Sequence, residues 1–474
     1  MKIRSLTLSD ILFALVGKVE THRNFKIEGG CVDSRRVKAN NLFIALPGET
    51  TDGHLYVDTA LRNGAVLAVI DHLIVSDFPI VDLSRSPLEI PESGPFSLLT
   101  SNSLGALQKI ATWWRAQLDL KVIGITGSVG KSSTKELTAS VLSRRFVTLR
   151  SEGNQNNEIG LPLNLLDLTS QHEVAVVEMG FYVPGEIKLL CDIAKPQIGI
   201  ITNVGTVHAE RAGSIEIIAK GKSELVEALP PAPTGVAILN YDDPLVRQMA
   251  TKTNATIFTY GLSPEADLWA DEIESMGLEG VRCQMHYQGE SNFLTAPLIG
   301  RHSVYTMLRA AATALILGIS WDWIFFALKD TTIQVRIVTV STQSGARIID
   351  DSYNASPDST IAALNLLNDL GGRKVAVLGD MLELGQYENE GHQKVGWRAS
   401  EVADELILIG ERSTITREAA LSSGCRPEKI HWYADASSAI PYLKENLTSG
   451  DMVLVKGSHS MHMETIVAAL EENQ

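Results

Sequence analysis

The sequence predicts an α/β protein of three domains, and three observations support this fold class. The chain has 474 residues, enough for about three domains of ordinary size. Apolar runs alternate with helical patterns over most of the chain after residue 120, as expected for βαβ units. Many of these runs are apolar on both faces and rich in valine and isoleucine, which is typical of a parallel sheet covered by helices.

The three domains are expected at 1–95, 96–330 and 331–474. The first has short strands such as NLFIAL and VLAVID, and it ends in the proline-containing loop SRSPLEIPESGP at 84–95. The second contains the strand-like runs KVIGIT, EVAVVEM, QIGIIT and GVAILN. The third repeats the alternation in RIIDD, KVAVLGD, ELILIG and DMVLVKG, which predicts a Rossmann-like domain.

Composition limits the function classes. The net charge of −15 argues against a general nucleic-acid binder, whose binding surface is basic. Four widely spaced cysteines without metal-ligand spacing indicate free thiols in a reducing cytoplasm. The N-terminal apolar stretch ILFALVG is too short for a membrane span, and Thr7 with Asp10 predicts a capping box that opens a helix. We therefore expect a cytoplasmic protein without membrane insertion and without a nucleic-acid partner.

The segment VIGITGSVGKSSTKE, residues 122–136, predicts a phosphate-binding loop. A strand ending at Thr126 leads into glycines and then a helix, so backbone N–H groups and the helix dipole can face an anion. Lys131 can reach the β- and γ-phosphates of ATP, and the Ser132 hydroxyl can ligate Mg²⁺. The loop is a shortened variant, with Ile125 where the general pattern has glycine, and the alternative is a strand–helix turn with an incidental lysine. The predicted ATP-binding residues here are Gly127, Ser128, Val129, Gly130, Lys131, Ser132 and Ser133.

With this loop in a parallel sheet, we expect the middle domain to be a central P-loop ATPase domain. Two more side chains are expected near the loop. Glu178 ends one predicted strand and His208 follows another, and carboxylate with neutral imidazole suits Mg²⁺ or Mn²⁺. Each alone is equally compatible with a solvated or paired side chain. Lys220 and Lys222 point about 200° apart on a helix, so only one can face the site. On sequence alone, both lysines are solvated helix residues.

The chain resembles the Mur ligases of peptidoglycan synthesis. The matching stretches are VDSRRV, LFIALPGETTDGH, GITGSVGKSSTKE, EGNQNNEIGLPLNLL, VEMG, TNVGTVHAE, GSIEIIAKGKSEL, IDDSYNASPDS, VLGDMLELG and VLVKGSHSMHME. Within the family, GNQNNEIGLP and DDSYNASPDS followed by GDMLELG imply ATP-dependent addition of D-alanyl-D-alanine to UDP-N-acetylmuramoyl-tripeptide. The implied substrates are these two molecules, and the implied cofactors are ATP and Mg²⁺. A monomer is expected, and either diaminopimelate or lysine fits the third peptide position.

The resemblance also implies roles for individual residues at the reaction centre. Lys131 and Ser132 correspond to ligands of the ATP phosphates, with Ser132 also on the first Mg²⁺. Glu178 and His208 correspond to magnesium ligands, and Lys222 to a carbamylated lysine that supports a second ion. The implied catalytic residues are therefore Lys131, Glu178, His208 and Lys222.

Further implied roles concern the substrates. Ser34 and Arg35 correspond to the uridine-nucleotide site, and Asn156 and Asn157 to residues that face the muramoyl-tripeptide. The remaining ATP-binding residues implied by the resemblance are Asn240, Asp243, His302, Arg336, Asp351, Tyr353 and Asn354.

Three stretches depart from the family pattern. HSVYT replaces HNxxN, so Ser303 and Thr306 stand where relatives have asparagines of the adenine pocket; a hydroxyl lacks the two-sided pairing of an amide. Val335 with Arg336 replaces the family's GR before the third domain. His459 replaces an arginine in KGSHSM, and an imidazole is a weaker and pH-dependent partner for an anion.

The implied reaction activates the tripeptide carboxylate as an acyl phosphate, which the amine of D-alanyl-D-alanine then attacks; the sequence does not identify the base for that amine.

Three other functions remain open. A related ligase, such as the one adding the third amino acid or folylpolyglutamate synthase, differs in its acceptor. A P-loop kinase or switch turns over ATP without an amine. A degenerate binding module tolerates Lys131→Ala without loss of function.

Overall fold

The computed structural model describes residues 4–17, 21–48, 51–330 and 338–471. These residues form three sheets flanked by helices, so the predicted α/β class is confirmed. No helix among the described residues combines the length and the apolar character needed to cross a bilayer.

The first sheet has five parallel strands in the spatial order β1-β2-β3-β5-β4. The elements in chain order are α1 (Leu8–Val16), β1 (Gly30–Cys31), β2 (Leu42–Ile44), α2 (Val57–Arg62), β3 (Leu67–Ile70), β4 (Ile80–Asp82), β5 (Phe96–Leu99) and α3 (Ser103–Ala116). The predicted capping box is present, with Thr7 and Asp10 satisfying each other's backbone N–H at the start of α1. Strand β5 lies past residue 95, where the first domain was predicted to end. Its buried Phe96 and Leu98 fill the sheet between β3 and β4, so the first sheet needs this strand.

The middle sheet has nine strands in the order β14-β13-β12-β11-β10-β9-β6-β8-β7. Its strands are β6 (Lys121–Thr126), β7 (Thr148–Arg150), β8 (Val174–Glu178), β9 (Ile198–Ile201), β10 (Val236–Asn240), β11 (Thr256–Gly261), β12 (Leu268–Ser275), β13 (Val281–Tyr287) and β14 (Glu290–Ala296). Its helices are α4 (Lys131–Ser143), α5 (Gly160–Leu166), α6 (Glu186–Ala194), α7 (Ala209–Ala212), α8 (Ile215–Glu227), α9 (Pro244–Gln248), α10 (Ser303–Ile316) and α11 (Trp321–Lys329). The strands from β7 to β12 pair in parallel, whereas β12, β13 and β14 form an antiparallel edge that the sequence analysis did not anticipate.

The third sheet has six strands in the order β15-β16-β20-β17-β18-β19, parallel except for the β15–β16 pair. Its elements are β15 (Val338–Ser341), β16 (Arg347–Asp351), α12 (Pro357–Asp369), β17 (Lys374–Gly379), α13 (Glu388–Val402), β18 (Glu405–Ile409), α14 (Ser413–Ser422), β19 (Ile430–Tyr433), α15 (Ala436–Asn446), β20 (Met452–Lys456) and α16 (Glu464–Leu470). Alternate residues of its central strands enter two separate apolar clusters, so helices cover both faces.

The apolar cores show how the sheets are joined. One cluster contains α1, the first sheet, α3 and one face of the middle sheet, and it extends from Leu6 to Ala255. At its centre the buried Arg115 of α3 donates to the carbonyls of Ala194, Leu118 and Leu120 at 3.1–3.2 Å. The first and middle sheets therefore share a core, while the third sheet packs its own.

Candidate active site

A cavity of about 990 Å³ lies between the carboxyl ends of the middle strands, the start of α10 and the loop after β16. The carboxyl edge of a parallel sheet is where ligands bind in α/β folds. The middle and third sheets both contribute walls. The predicted site residues that line it are Ser128, Val129, Gly130, Lys131, Ser132, Ser133, Asn156, Glu178, His208, Asn240, Asp243, His302, Asp351, Tyr353 and Asn354.

The glycine-rich loop joins β6 to α4 as predicted, and two of its glycines have backbone conformations that disfavour side chains. Gly130, at φ +82°, is the residue before α4. Gly127 has φ +147°, and a Cβ there would lie 1.8 Å from Thr202 Oγ1. The Lys131 amine donates to the carbonyls of Gly127 and Ser128, at 2.9 and 3.2 Å, so it lies across the loop. Helix N-terminus, loop amides and ammonium together form an anion site.

Asn203 supports this loop and was missed by the sequence analysis. Its side-chain Oδ1 accepts the backbone N–H groups of Ser128 and Val129 at 3.2 and 2.8 Å. Ser128 Oγ also accepts from the Gly205 N–H at 2.8 Å. The available signal was position: Asn203 follows β9, the parallel neighbour of β6, in the quoted stretch TNVGTVHAE.

Glu178 occupies the centre of the site at the end of β8 and is buried. Its two carboxylate oxygens accept from Ser132 Oγ at 2.6 Å and from Asn156 Nδ2 at 2.8 Å. A carboxylate and a hydroxyl beside a phosphate-binding loop are oxygen donors of the kind that Mg²⁺ prefers, so this donor set fits the ion. Asn156, predicted to face the substrate, lines the cavity and also orients Glu178.

His208 precedes α7 in a left-handed conformation, with φ +66°. Its ring centroid is 4.7 Å from that of Tyr182, and its Nδ1 lies 2.5 Å from Glu383 Oε2 of the third domain. Burial, together with the nearby charge of Lys131, lowers the pKa of His208 to about 4. The imidazole is therefore neutral near pH 7 and can act as a ligand.

Of the two lysines on α8, Lys222 is buried and Lys220 is exposed, as their spacing requires. The Lys222 Nζ lies 4.9 Å from the Phe181 ring centroid. Burial, and then repulsion from Lys131, hold the pKa of Lys222 well below its usual range. Burial and the charge of Lys131 both favour the neutral form of this amine.

The residues predicted around the nucleotide base and ribose line one side of the cavity. Asn240 donates to the Thr202 carbonyl at 3.1 Å. The Asp243 carboxylate accepts three backbone N–H groups, one from Val204 and two from the first turn of α9. It therefore also holds the start of α9 to the loop after β9. Ser303 and Thr306, the departures from the family pattern, also line this wall, and the Ser303 hydroxyl donates to the Ile299 carbonyl.

The third domain reaches the cavity through the loop after β16. The buried Lys456 donates to Asp351 Oδ2 at 2.6 Å and to the Asn354 carbonyl at 2.8 Å, and so fixes this loop. The ring of Tyr353 lies 5.5 Å from that of the exposed His459. Lys456 was not singled out from the sequence, although it ends a predicted strand in VLVKG.

Arg309 of α10 is a second residue that the sequence analysis missed. Its guanidinium is buried, donates to Thr134 Oγ1 and to the Gly130 carbonyl, and lies over the Tyr260 ring at 5.6 Å. It therefore places a positive charge at the start of α4. A charged residue within the apolar helix SVYTMLRAAATALILG was the signal available in the sequence.

Several predicted residues do not line the cavity. Asn157 turns its side chain to the backbone N–H groups of Ile159 and Gly160, where it starts α5. Ser34 and Arg35 belong to the first domain; Arg35 is exposed and pairs with Asp33. The remaining residues outside its lining are Gly127, which shapes the loop, and Lys222. Val335 and Arg336 lie outside the described residues.

A second cluster of histidines and carboxylates lies in the first domain and is explained by hydrogen bonding. His54 is buried, its Nδ1 lies 2.6 Å from Asp52, and its Nε2 accepts the Asp71 N–H at 3.2 Å. Both ring nitrogens are thus engaged in holding the loop before α2 to the end of β3. The His72 ring lies against that of His54, tilted by 34° and with centroids 3.9 Å apart. The cluster therefore has a structural role.

Comparisons with known proteins agree with this architecture. Family models match over three segments: the Mur ligase family catalytic domain at 26–82, the Mur ligase middle domain at 125–314, and the Mur ligase glutamate ligase domain at 335–459. A UDP-N-acetylmuramoyl-tripeptide--D-alanyl-D-alanine ligase of Synechocystis is 35% identical over 96% of this chain and 94% of its own length. The enzyme of the same name from Bacillus subtilis is 34% identical, with 94% of each chain covered.

Solved structures give the same result. MurF from Acinetobacter baumannii is 29% identical, superimposes with a TM-score of 0.83 and covers 97% of both chains. The MurF ligase of Thermotoga maritima, solved in complex with ADP, is 26% identical with a TM-score of 0.77, over 93% of this chain and 96% of its own. Given full-length identity above 30% and a cavity built from the motifs the family shares, this chain belongs to the Mur ligase family.

Proposed function

We propose that this protein is an ATP-dependent ligase that joins D-alanyl-D-alanine to the tripeptide carboxylate of UDP-N-acetylmuramoyl-tripeptide, with release of ADP and phosphate. The relatives named above carry this activity in their names and match the chain over nearly its whole length. One observation supports the proposal most: the phosphate-binding loop, Glu178 and His208 share a cavity with the 351–354 loop of the third domain.

The physical problem in this reaction is that a carboxylate resists attack by an amine. Transfer of the ATP γ-phosphoryl group to one carboxylate oxygen gives an acyl phosphate and ADP, and phosphate is then a good leaving group. Attack by the dipeptide amine forms the peptide bond, and phosphate and a proton leave. Lys131 and the loop amides stabilise the negative charge that develops on the phosphoryl group during transfer.

We infer that Mg²⁺ is held by Ser132, Glu178 and His208. Their oxygen and neutral imidazole donors suit a hard divalent cation, and all three line the cavity. When bound, the cation neutralises phosphate charge and orients the phosphates. In this scheme Asn156 keeps the Glu178 carboxylate turned toward the loop through its 2.8 Å hydrogen bond.

We further infer that Lys222 carries a carbamate. Burial favours the neutral amine of Lys222, and a neutral amine adds CO₂ to give a carbamate and a proton. This replaces an amine whose charged form Lys131 repels with an anion that Lys131 attracts. The product offers a carboxylate-like oxygen pair to a second cation.

The domains divide the substrates between them. In this proposal Ser34 and Arg35 of the first domain bind the uridine nucleotide, ATP binds in the cavity, and the third domain presents the dipeptide. Closure of the third domain excludes water, which otherwise hydrolyses the acyl phosphate. We propose that the enzyme acts as a monomer, and four unpaired cysteines fit a cytoplasmic enzyme that uses ATP.

The test is ADP release by the purified chain with UDP-muramoyl-tripeptides. We expect turnover that requires D-alanyl-D-alanine and is not supported by single amino acids. Turnover with a single amino acid indicates one of the related ligases, and turnover without any amine indicates a kinase or switch. Tripeptides containing diaminopimelate or lysine, offered separately, identify the donor.

A further inference from the structure

One set of contacts between the third and middle domains is made by residues 383–387, which we term the docking segment. The Glu383 carbonyl accepts the Glu210 N–H at 3.1 Å, and the Gln386 side chain donates to the Gly213 carbonyl at 3.1 Å. The Tyr387 hydroxyl accepts the Ile215 N–H at 3.3 Å, and its ring packs on the core shared by the first and middle domains. The docking segment therefore covers the stretch that runs from His208 into α8.

Glu383 is the member of this segment that reaches the site. Its Oε2 lies 2.5 Å from His208 Nδ1, in a contact where the histidine side chain is only 17% exposed. The backbone at Glu383 has φ +63°, a left-handed conformation that is uncommon for a residue with a side chain. Strain of this kind persists where the surrounding contacts hold the residue in place, and here both its backbone and its carboxylate are engaged across the domain boundary.

The chemistry of the pair fixes the proton on the imidazole. An ionised carboxylate accepts hydrogen bonds and cannot donate them, so the hydrogen between the two atoms belongs to Nδ1. A neutral imidazole with its hydrogen on Nδ1 has its lone pair on Nε2. His208 itself lines the cavity. Histidines that ligate metals generally donate their other ring N–H to a carboxylate or carbonyl in this way.

We propose that Glu383 is a positioning residue that couples closure of the third domain to cation binding by His208. The same carboxylate docks the domain and holds the imidazole in the tautomer whose Nε2 can bind a cation. This rests on the proposed function, because the role of His208 as a ligand is part of it. By linkage, cation binding and domain docking then favour each other to the same degree.

The experiment compares Glu383→Ala and Glu383→Gln in the full chain, with Glu418→Ala as the control. Glu418 is an exposed carboxylate on α14, on the same domain and outside the docking segment. Two readouts are used in the presence of ADP: ¹⁵N spectra of the histidine-labelled protein, with His208 assigned from the spectrum of His208→Gln, and the Kd for Mn²⁺ from electron paramagnetic resonance. Thermal melting checks that each variant is folded.

In Glu383→Ala we expect the His208 signal to move toward the Nε2–H tautomer and the Mn²⁺ Kd to rise by about tenfold or more. Glu383→Gln keeps the Nδ1–H tautomer, since its amide carbonyl still accepts, and shows a smaller rise of about threefold. The control leaves both readouts unchanged. If Glu383→Ala does not fold, the Mn²⁺ Kd of Glu383→Gln tests the inference instead.

An unchanged Kd in the folded variants, or an unchanged tautomer in Glu383→Ala, overturns the inference. Neither readout requires ligation. A wild-type chain that binds Mn²⁺ as expected but releases no ADP with D-alanyl-D-alanine therefore counts against the proposed function alone. If the wild-type chain ligates, and Glu383→Ala keeps the wild-type His208 tautomer and Mn²⁺ Kd, the result counts against the positioning role alone.

Discussion

Lys131 and Lys222 lie near enough for each charge to affect the other, yet their surroundings differ. Lys131 is partly exposed and donates to two carbonyls of the loop. Lys222 is buried beside the Phe181 ring, which favours the neutral form. Helical spacing predicted that one of Lys220 and Lys222 faces inward. The choice between them depends on how α8 packs, which the sequence does not state.

Substitution of Lys222 by alanine tests its modification. We expect Lys222→Ala to lower the ligation rate by about 100-fold or more, because the carbamate is lost. Short carboxylic acids such as acetate should restore part of the rate by entering the space left by the side chain. Lys220→Ala, at the exposed neighbour, serves as the matched control and should keep its activity. Rescue by acetate that is equal in all variants would speak against a carbamate.

Substitution of Lys131 tests the anion site. We expect Lys131→Ala to reduce kcat/KM for ATP by about 10³-fold, because the charge on the transferring phosphoryl group loses its nearest cation. Lys131→Arg should recover little, since a planar guanidinium cannot lie across the loop in the same way. Steady-state ADP release measures kcat/KM for ATP in both variants. A wild-type rate of ADP release in Lys131→Ala would contradict a role for this lysine in phosphoryl transfer.

At the scale of secondary-structure elements, the phosphate-binding loop was predictable because its chemistry is local. Glycines, a lysine and hydroxyls between a strand and a helix are contiguous in sequence. The residues that hold the loop are not contiguous with it: Asn203 bonds to Ser128 from 75 positions away, and Arg309 bonds to Thr134 from 175 positions away. Only the pairing of β9 with β6 and the packing of α10 on α4 bring them there. The antiparallel edge β12–β14 escaped prediction for a related reason, because no motif marks it.

Asn203→Ala tests the support of the loop. Removing Oδ1 leaves the Ser128 and Val129 N–H groups without this acceptor, at a cost of about 1–3 kcal/mol. We expect KM for ATP to rise by about tenfold, with kcat changed much less, because the loop loses its preset shape. Asn446→Ala, at an exposed amide on α15, is the control. Equal KM values in the two variants contradict a supporting role.

At the scale of the whole molecule, the first and middle domains form one body with a common core. The third domain meets them at the docking segment, at the cavity and through apolar contacts of Leu278 and Ile299. Periodicity in the sequence identified which faces of the helices are apolar. It did not show that α3 packs against both the first sheet and α6, since a pattern specifies a buried face and not its partner. The strand at 96–99 lies just past the predicted boundary at residue 95, and it pairs within the first sheet.

Arg115→Ala tests that shared core. Three buried carbonyls lose their donor, and we expect the free energy of unfolding to fall by about 3 kcal/mol. KM for ATP should remain near the wild-type value, because Arg115 does not line the cavity. Urea denaturation measures the first quantity and ADP release the second. A loss of stability below about 1 kcal/mol would mean that water replaces the guanidinium at these carbonyls.

The shared core also has a consequence for biosynthesis. Its members extend from Leu6 to Ala255, so the last residues of this core leave the ribosome some 250 residues after the first. A nascent chain consequently carries unburied leucine and isoleucine side chains through half of its translation, a period in which chaperones bind such surfaces. The C-terminal sheet, whose apolar clusters come almost entirely from its own residues, can fold soon after it emerges.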